Sequence, residues 1–100
     1  MIKIVLIIKE DCPACDIVKK VIAQAINKIN YNIIFKIINS SNININCYDV
    51  KIFPTTIFYK DVNEVKMGPP VYTEIARLEG SFPIDYLNKV INKLKIECNE

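Results

Sequence analysis

The chain has 100 residues, of which 51% are hydrophobic and 24% are charged, and its formal net charge is +2. This length is enough for one hydrophobic core but not for two, so we expect a single domain over residues 1–100. The lysines are spread among acidic residues and form no basic stripe, which argues against nucleic acid as a partner. No apolar stretch approaches the length of a membrane span, so we expect no membrane partner.

The first third of the chain predicts a strand, a helix and a second strand. Residues Ile2 to Ile8 are mostly β-branched on both faces, as in a strand buried between two layers. From Asp16 to Ile29, apolar residues recur at intervals of three and four, which predicts a half-buried helix. Asn32 to Ile38 is another β-branched run. This order predicts two parallel strands joined by a right-handed crossover.

The rest of the chain predicts two further strands and a second helix, separated by loops. Pro54 lies at the entrance of the third strand, where proline is tolerated because it need not donate to a ladder. In chain order the predictions are a loop at Asn39–Asn46 with a short helix near Ile43–Tyr48, a strand at Val50–Lys60, a turn at Asp61–Asn63, an irregular stretch at Glu64–Val71, a strand at Tyr72–Leu78, a break at Gly80-Ser81, a helix at Pro83–Ile96 and a frayed end at Glu97–Glu100.

Two cysteines, Cys12 and Cys15, lie where the first strand passes into the first helix. The first turn of a helix leaves backbone N–H groups unpaired and carries about half a positive charge, so it favours an anion. The thiolate is the anionic form of cysteine and the form that attacks disulfides. Pro13 suits the first helical position because its φ is fixed and it lacks an N–H. We therefore expect Cys12 to be the exposed attacking sulfur and Cys15 the resolving one.

This cysteine spacing also occurs in half of a zinc site, in part of an iron–sulfur site and by chance. A tetrahedral metal site needs four ligands, whereas this chain has no histidine and only Cys47 and Cys98 as further cysteines. The strand before the pair and the helix after it favour redox chemistry and no bound metal. A non-catalytic binding or metal module stays open as the alternative from another functional class.

The remaining cysteines and the N-terminus bear on the cellular setting. We expect Cys47 to be a half-buried bystander rather than a regulatory thiol, and an exposed Cys98 to be open to glutathionylation or to linking two chains. Residues 1–8 are too short for a signal peptide, so we expect a reducing, cytoplasmic location. The abundance of Ile, Asn and Lys indicates an AT-rich coding sequence, a bias of some viruses and parasites.

The element order, with the motif at Cys12–Cys15 and a proline at a later strand entrance, resembles the thioredoxin superfamily over nearly the whole chain. The resemblance implies an α/β, thioredoxin-like fold with a four-stranded mixed sheet flanked by helices. It also implies that Pro54 is cis and packs beside Cys12. The substrate-binding residues would then be Lys9, Pro13, Phe53, Pro54 and Thr55, with Phe53 presenting its backbone to the substrate.

Several positions resemble the glutaredoxin branch of this superfamily. Lys9 matches the lysine that glutaredoxins use for a glutathione carboxylate, Pro13 gives their common Cys-Pro-x-Cys motif, and Lys19 lies where many have a helix lysine. Three features depart from the pattern. Asp11 stands where a Tyr or Trp commonly precedes the first cysteine. Phe53 replaces a small or β-branched residue before the proline. Gly80-Ser81, with Asp85 farther on, replaces a Gly-Gly followed shortly by Asp.

Other positions bear on the thioredoxin branch. Residues Tyr48–Thr55 look like the approach of thioredoxins to their cis proline. However, the tryptophan, buried aspartate and helix-kinking proline of thioredoxins are replaced by Asp11, Leu6 and Lys20. These three absences favour the glutaredoxin-like interpretation.

The predicted function is that of a small, monomeric thiol–disulfide oxidoreductase that reduces protein or glutathione mixed disulfides and binds no cofactor. Glutathione is the expected co-substrate, and a thioredoxin-like protein served by a dedicated reductase is the alternative. Glu10, Asp11 and Asp16 lie near Cys12, and their charges oppose formation of a thiolate there. They also predict partners that present positive charge near their disulfide.

Overall fold

A computed structural model of the chain describes residues 2–29, 32–41, 45–62, 68–69 and 71–98, without the side chains of residues 45–46 and 95–98. Its strands and helices follow one another in the order that the sequence predicts. They are β1 (Ile2–Ile8), α1 (Pro13–Asn27), β2 (Ile33–Asn39), a 3-10 helix (Ile45–Tyr48), β3 (Thr55–Asp61), β4 (Tyr72–Glu79) and α2 (Ile84–Cys98).

The four strands form one mixed sheet in the order β2-β1-β3-β4. β1 pairs in parallel with β2 and antiparallel with β3, and β3 pairs antiparallel with β4. The parallel pair on either side of α1 is the strand–helix–strand unit predicted from the sequence. β1 is central, which agrees with its apolar residues on both faces.

Both helices pack on one face of the sheet. Alternate residues of β1, among them Ile4 and Leu6, meet the buried faces of α1 and α2 in one core cluster. The buried side chains of that cluster are Ile2, Ile4, Leu6, Val18, Ile22, Ala25, Phe58, Phe82, Leu87, Ile91 and Leu94. Among the described residues no helix is long and apolar enough to cross a membrane.

The opposite face of the sheet is covered by irregular chain and the 3-10 helix. Its buried residues are Val5, Ile7, Ile38 and Ile57, against which Tyr48, Val50, Phe53 and Tyr59 pack. The chain from the last residue of the 3-10 helix to the start of β3 therefore lies across this face. Residues 48–54 are called the approach segment below. The approach segment brings Phe53 and Pro54 to the start of β3.

Several predicted boundaries are wrong. Helix α1 ends at Asn27 rather than at Ile29, and β2 covers Ile33–Asn39 rather than Asn32–Ile38. The predicted strand at Val50–Lys60 begins only at Thr55, because Pro54 has no N–H to donate to a ladder. β4 continues one residue past its predicted end, to Glu79. α2 continues to Cys98, so the predicted fraying is wrong for residues 97 and 98.

Some predictions fall outside the described residues. Residues 42–44 belong to the predicted loop, residue 63 to the predicted turn, and residues 64–67 and 70 to the predicted irregular stretch. Residues 99 and 100 belong to the predicted frayed end. The roles predicted for the Cys98 thiol also fall there, since that side chain is not described. Within the described part, the short helix near Tyr48 is confirmed as a 3-10 helix.

Candidate active site

The cysteine pair lies at the N-terminus of α1, as predicted. Cys12 is the N-cap residue, with extended backbone angles, and Pro13 occupies the first turn of the helix. Cys12 and Cys15 form a disulfide, with their Cα atoms 5.2 Å apart. The backbone N–H of Cys15 also donates a hydrogen bond of 3.1 Å to Cys12 Sγ. A negative charge that develops on Cys12 Sγ would thus meet an N–H of the first helical turn.

The two sulfur-bearing residues differ in exposure. Cys15 is 1% exposed and packs inside the fold, whereas Cys12 is only partly buried and Pro13 is exposed. Cys12 is therefore the residue that an incoming disulfide reaches more easily. Disulfide exchange requires that a substrate disulfide can reach one sulfur of the pair. The second sulfur needs only to reach the first.

The turn between β1 and α1, together with the first turn of α1, carries the charges predicted near Cys12. Glu10, Asp11 and Asp16 are all exposed. Asp11 has a positive φ of 52°, in the left-handed region, which Asp tolerates better than most non-glycine residues. Two carboxylates of the turn and one of the first helical turn are thus presented to solvent near the disulfide.

Pro54 lies at the same edge of the sheet as this turn. The register pairs Ile7 near the end of β1 with Thr55 at the start of β3. The Phe53–Pro54 peptide bond is cis, as predicted. Thr55 Oγ1 donates to the Ile52 carbonyl at 2.6 Å. The substrate-binding roles of Lys9, Pro13, Phe53, Pro54 and Thr55 stay predictions, as does the predicted packing of Pro54 beside Cys12.

β4 supports this edge from the other side. The N–H of Gly80 donates a 2.8 Å hydrogen bond to the Pro54 carbonyl. Gly80 has a φ of +80°, in the left-handed region that favours glycine. The end of the approach segment is thereby held against the end of β4.

Lys9 and Phe53 are brought together at this edge. Lys9 Nζ lies over the Phe53 ring, 5.8 Å from its centroid, in a cation–π arrangement. Lys9 is exposed, so its ammonium remains open to solvent. Predicted separately from the sequence, these two residues form one feature next to Pro54.

Arg77 is a residue that the sequence analysis did not single out. Its guanidinium forms a bidentate ion pair with Glu74, with N···O distances of 3.0 and 2.9 Å. It also donates to the carbonyls of Tyr48 at 2.8 Å and Asp49 at 2.9 Å. The hydrogen bond to Glu74 outweighs partial burial and raises the pKa of Arg77.

A β-bulge explains why the pair Glu74 and Arg77 is hard to find in the sequence. Residues three apart in a regular strand lie on opposite faces. Here the register of β4 shifts opposite Phe58 and Tyr59, so that Arg77 pairs with Ile57 and Glu74 with Tyr59. Since Ile57 and Tyr59 share a face, the bulge places Glu74 and Arg77 on that face together.

Arg77 lines a polar cavity of about 530 Å³. Burial is the main cause that raises the pKa of Tyr59 in its wall, and the nearby Glu74 adds to the effect. Cys47 also lines the cavity and is an exposed free thiol, so the prediction of a half-buried Cys47 is wrong. The short 3-10 helix offers this side chain little cover.

The described residues contain no group of three or more cysteine, aspartate or glutamate side chains placed to hold a metal ion. Lys19 is partly buried on α1, and Asp85 is exposed in the first turn of α2.

Comparison with solved structures identifies the fold. A chloroplastic thioredoxin z superposes with a TM-score of 0.74 at 16% identity, over 96% of this chain and 80% of that chain. Thioredoxin-2 of the malaria parasite, a component of its protein secretion machinery, gives 0.73 at 16% identity, over 93% and 82%. A Plasmodium falciparum thioredoxin gives 0.68 at 18% identity, over 92% and 70%.

These likenesses show that the chain has the thioredoxin fold, which confirms the predicted architecture. No protein-family profile matches the sequence. No curated protein sequence matches it either.

Proposed function

We propose that this thioredoxin-fold protein is a thiol–disulfide oxidoreductase whose working group is the Cys12–Cys15 pair. The single observation that carries the proposal is the disulfide at the N-terminus of α1, with Cys15 buried and Cys12 accessible. A purely structural disulfide does not need an accessible sulfur at a helix N-terminus, whereas a cysteine that attacks disulfides as a thiolate does.

The proposed reaction begins with the reduced pair. The Cys12 thiolate attacks one sulfur of a substrate disulfide, which breaks that bond, forms a Cys12–substrate mixed disulfide and releases the other substrate sulfur as a thiolate. The Cys15 thiolate then attacks Cys12 Sγ and releases the second substrate thiolate. Two electrons have passed to the substrate, the thiolates take up protons from solvent, and the Cys12–Cys15 disulfide remains.

Glutathione is the electron donor that we propose for the return step. Two glutathione thiols would reduce the Cys12–Cys15 disulfide and leave as glutathione disulfide. Lys9 supports this proposal because its exposed ammonium lies beside Phe53, where it can meet a glutathione carboxylate. The substrates proposed are protein disulfides and glutathione mixed disulfides, and the setting proposed is the reducing cytoplasm, with the protein a monomer.

A reductase-served, thioredoxin-like protein is the second candidate. One observation favours it: the solved structures described above are thioredoxins. The two candidates share the Cys12–Cys15 chemistry and differ only in the donor.

The test compares two assays on wild type, Cys12→Ser and Cys47→Ser. One assay follows hydroxyethyl-disulfide reduction coupled to glutathione and glutathione reductase, and the other follows insulin reduction by dithiothreitol. We expect Cys12→Ser to lose at least about a hundredfold in activity because the attacking sulfur is absent. Cys47→Ser, which removes an exposed thiol outside the pair, should keep wild-type activity.

Activity in the glutathione-coupled assay would support glutathione as donor, and Lys9→Gln should then raise the KM for glutathione. Activity with insulin alone would favour the reductase-served candidate. Inactivity of wild type in both assays would contradict the oxidoreductase proposal. Bound zinc, or an unfolded Cys12→Ser variant, would favour the metal module instead.

A further inference from the structure

We propose that Arg77 is a positioning residue for disulfide exchange, because its guanidinium holds the start of the approach segment whose other end carries cis-Pro54. This inference rests on the proposed oxidoreductase function, since it concerns the edge at which a substrate would bind. It assigns a role to a side chain outside the Cys12–Cys15 pair.

The approach segment begins at the end of the 3-10 helix. The last carbonyls of a helix have no partners within it and need donors from elsewhere. Arg77 donates to two carbonyls at this end, those of Tyr48 at 2.8 Å and Asp49 at 2.9 Å. A single guanidinium therefore ties the beginning of the approach segment to β4.

The backbone at this point is held away from its commonest conformation. Asp49 has a φ of 52°, in the left-handed region that non-glycine residues seldom adopt. In this conformation the Asp49 carbonyl accepts a hydrogen bond of 2.9 Å from Arg77 Nη1. Without the guanidinium, the carbonyls of Tyr48 and Asp49 would lose their described donor, and the left-handed backbone would lose this restraint.

Glu74 fixes the guanidinium itself. Its carboxylate accepts from Arg77 Nε at 3.0 Å and from Nη2 at 2.9 Å, which orients the plane of the guanidinium. The β-bulge in β4 puts the two side chains on the same face. The Glu74 carboxylate thus orients the Arg77 guanidinium, and the guanidinium holds the approach segment.

The far end of the approach segment is tied to the same strand end. The N–H of Gly80 donates to the Pro54 carbonyl at 2.8 Å, and Thr55 Oγ1 donates to the Ile52 carbonyl at 2.6 Å. Phe53 packs between these ends against Val5, Ile7, Ile38 and Ile57. Loss of the Arg77 contacts would leave Phe53 and Pro54 held at one end only.

The consequence for exchange concerns substrate binding rather than the sulfur chemistry. Arg77 lies on the face opposite the helices, whereas Cys12 and Cys15 belong to α1. A loosened Pro54 edge should weaken binding of the substrate in the ground state and in the transition state alike. Such a change raises KM and leaves kcat nearly unchanged.

The experiment measures kcat and KM for reduction of a protein disulfide by wild type, Arg77→Gln, Arg77→Lys and Lys89→Gln. We expect Arg77→Gln to raise KM about tenfold with kcat within about twofold of wild type. Arg77→Lys should raise KM less, because an ammonium can still reach one of the two carbonyls but cannot make all the hydrogen bonds of the planar guanidinium. Lys89→Gln removes one positive charge from the exposed side of α2 and should leave KM unchanged.

Hydrogen exchange provides a readout that does not depend on activity. Backbone amides within residues 49–53 should exchange faster in Arg77→Gln than in Lys89→Gln. An unchanged KM in folded Arg77→Gln, or a fall in kcat at constant KM, would overturn the inference. If Arg77→Gln does not fold, Glu74→Gln decides: a KM raised about threefold supports the inference and an unchanged KM overturns it.

The two proposals fail in different ways. An active wild type with an unchanged KM in Arg77→Gln overturns the role of Arg77 alone. An inactive wild type overturns the oxidoreductase proposal and with it the role in exchange, while the exchange rates still report whether Arg77 restrains the approach segment.

Discussion

Thr55 and Thr56 are adjacent buried threonines whose hydroxyl groups differ in hydrogen bonding. Thr55 is 1% exposed, and its Oγ1 donates to the Ile52 carbonyl at 2.6 Å. Thr56 is 0% exposed, and its Oγ1 has no partner in the part of the chain that the structure describes. A buried hydroxyl without a partner has lost its hydrogen bonds to water and gained none in return.

We therefore expect opposite effects from the same substitution at the two positions. Thr56→Val should raise the free energy of unfolding by about 1 kcal/mol, because it replaces an unsatisfied hydroxyl with a methyl group of equal size. Thr55→Val should lower the free energy of unfolding by about 1 kcal/mol, because the Ile52 carbonyl loses its donor. Urea unfolding measures both. Equal destabilisation by the two variants would show that Thr56 Oγ1 does have a partner.

The turn between β1 and α1 and the first turn of α1 carry the charged side chains nearest to Cys12 in the sequence. Lys9 is drawn over the Phe53 ring, whereas the carboxylates of Glu10, Asp11 and Asp16 remain exposed. The site therefore has a positive charge on its Pro54 side and negative charges around the start of α1. Charges arranged in this way select partners mainly through their rate of association.

We expect peptides with lysine or arginine beside their disulfide to be reduced faster than peptides with aspartate or glutamate there. The difference in kcat/KM should be about tenfold at low ionic strength and should shrink as added salt screens the charges. Glu10→Gln combined with Asp11→Asn should reduce the preference. Asp85→Asn, at an exposed carboxylate in the first turn of α2, is the control and should not alter it. Faster reduction of acidic peptides would contradict the prediction.

At the scale of the whole molecule, one sheet separates two unequal layers. The layer with α1 and α2 holds the larger core cluster, and the layer with the approach segment holds a smaller one. Tyr59 belongs to the smaller layer, where burial raises its pKa, Glu74 and Tyr48 raise it further, and Arg77 opposes them. Because its pKa is raised, ionisation of Tyr59 should lower the free energy of unfolding at alkaline pH.

A raised pKa in the folded state means that the unfolded chain releases the Tyr59 proton first. Stability from this group is complete below the unfolded pKa of about 10 and is lost as the pH rises through the folded value. We expect Tyr59→Phe to flatten the fall in unfolding free energy above pH of about 10 relative to wild type.

The measurement is urea unfolding between about pH 8 and pH 11, followed by circular dichroism and by tyrosine fluorescence. Tyr86→Phe, at a side chain 49% exposed on α2, is the matched control and should keep the wild-type slope. Coincidence of the two probes would support the prediction of a single domain. An identical slope in wild type and Tyr59→Phe would contradict the role of Tyr59.

The sequence by itself determined the features that depend on local pattern. Strand β1, helix α1 and the parallel strand β2 follow from the spacing of apolar residues, and Cys12 and Pro13 are placed at the helix start by capping rules. The cis bond at Pro54 was predicted from the resemblance to the thioredoxin superfamily and is confirmed. Features of this kind can be predicted from a few neighbouring residues or from a sequence motif of a known superfamily.

Only the tertiary structure decided the features that join distant parts of the chain. Arg77 meets the carbonyls of Tyr48 and Asp49 because a β-bulge turns Glu74 and Arg77 to the same face, and no spacing in the sequence reveals that bulge. Lys9 meets Phe53 because the register of β1 and β3 places the end of one beside the start of the other. These contacts arise from pairing across the sheet, which depends on the packing of the whole chain rather than on any one stretch of it.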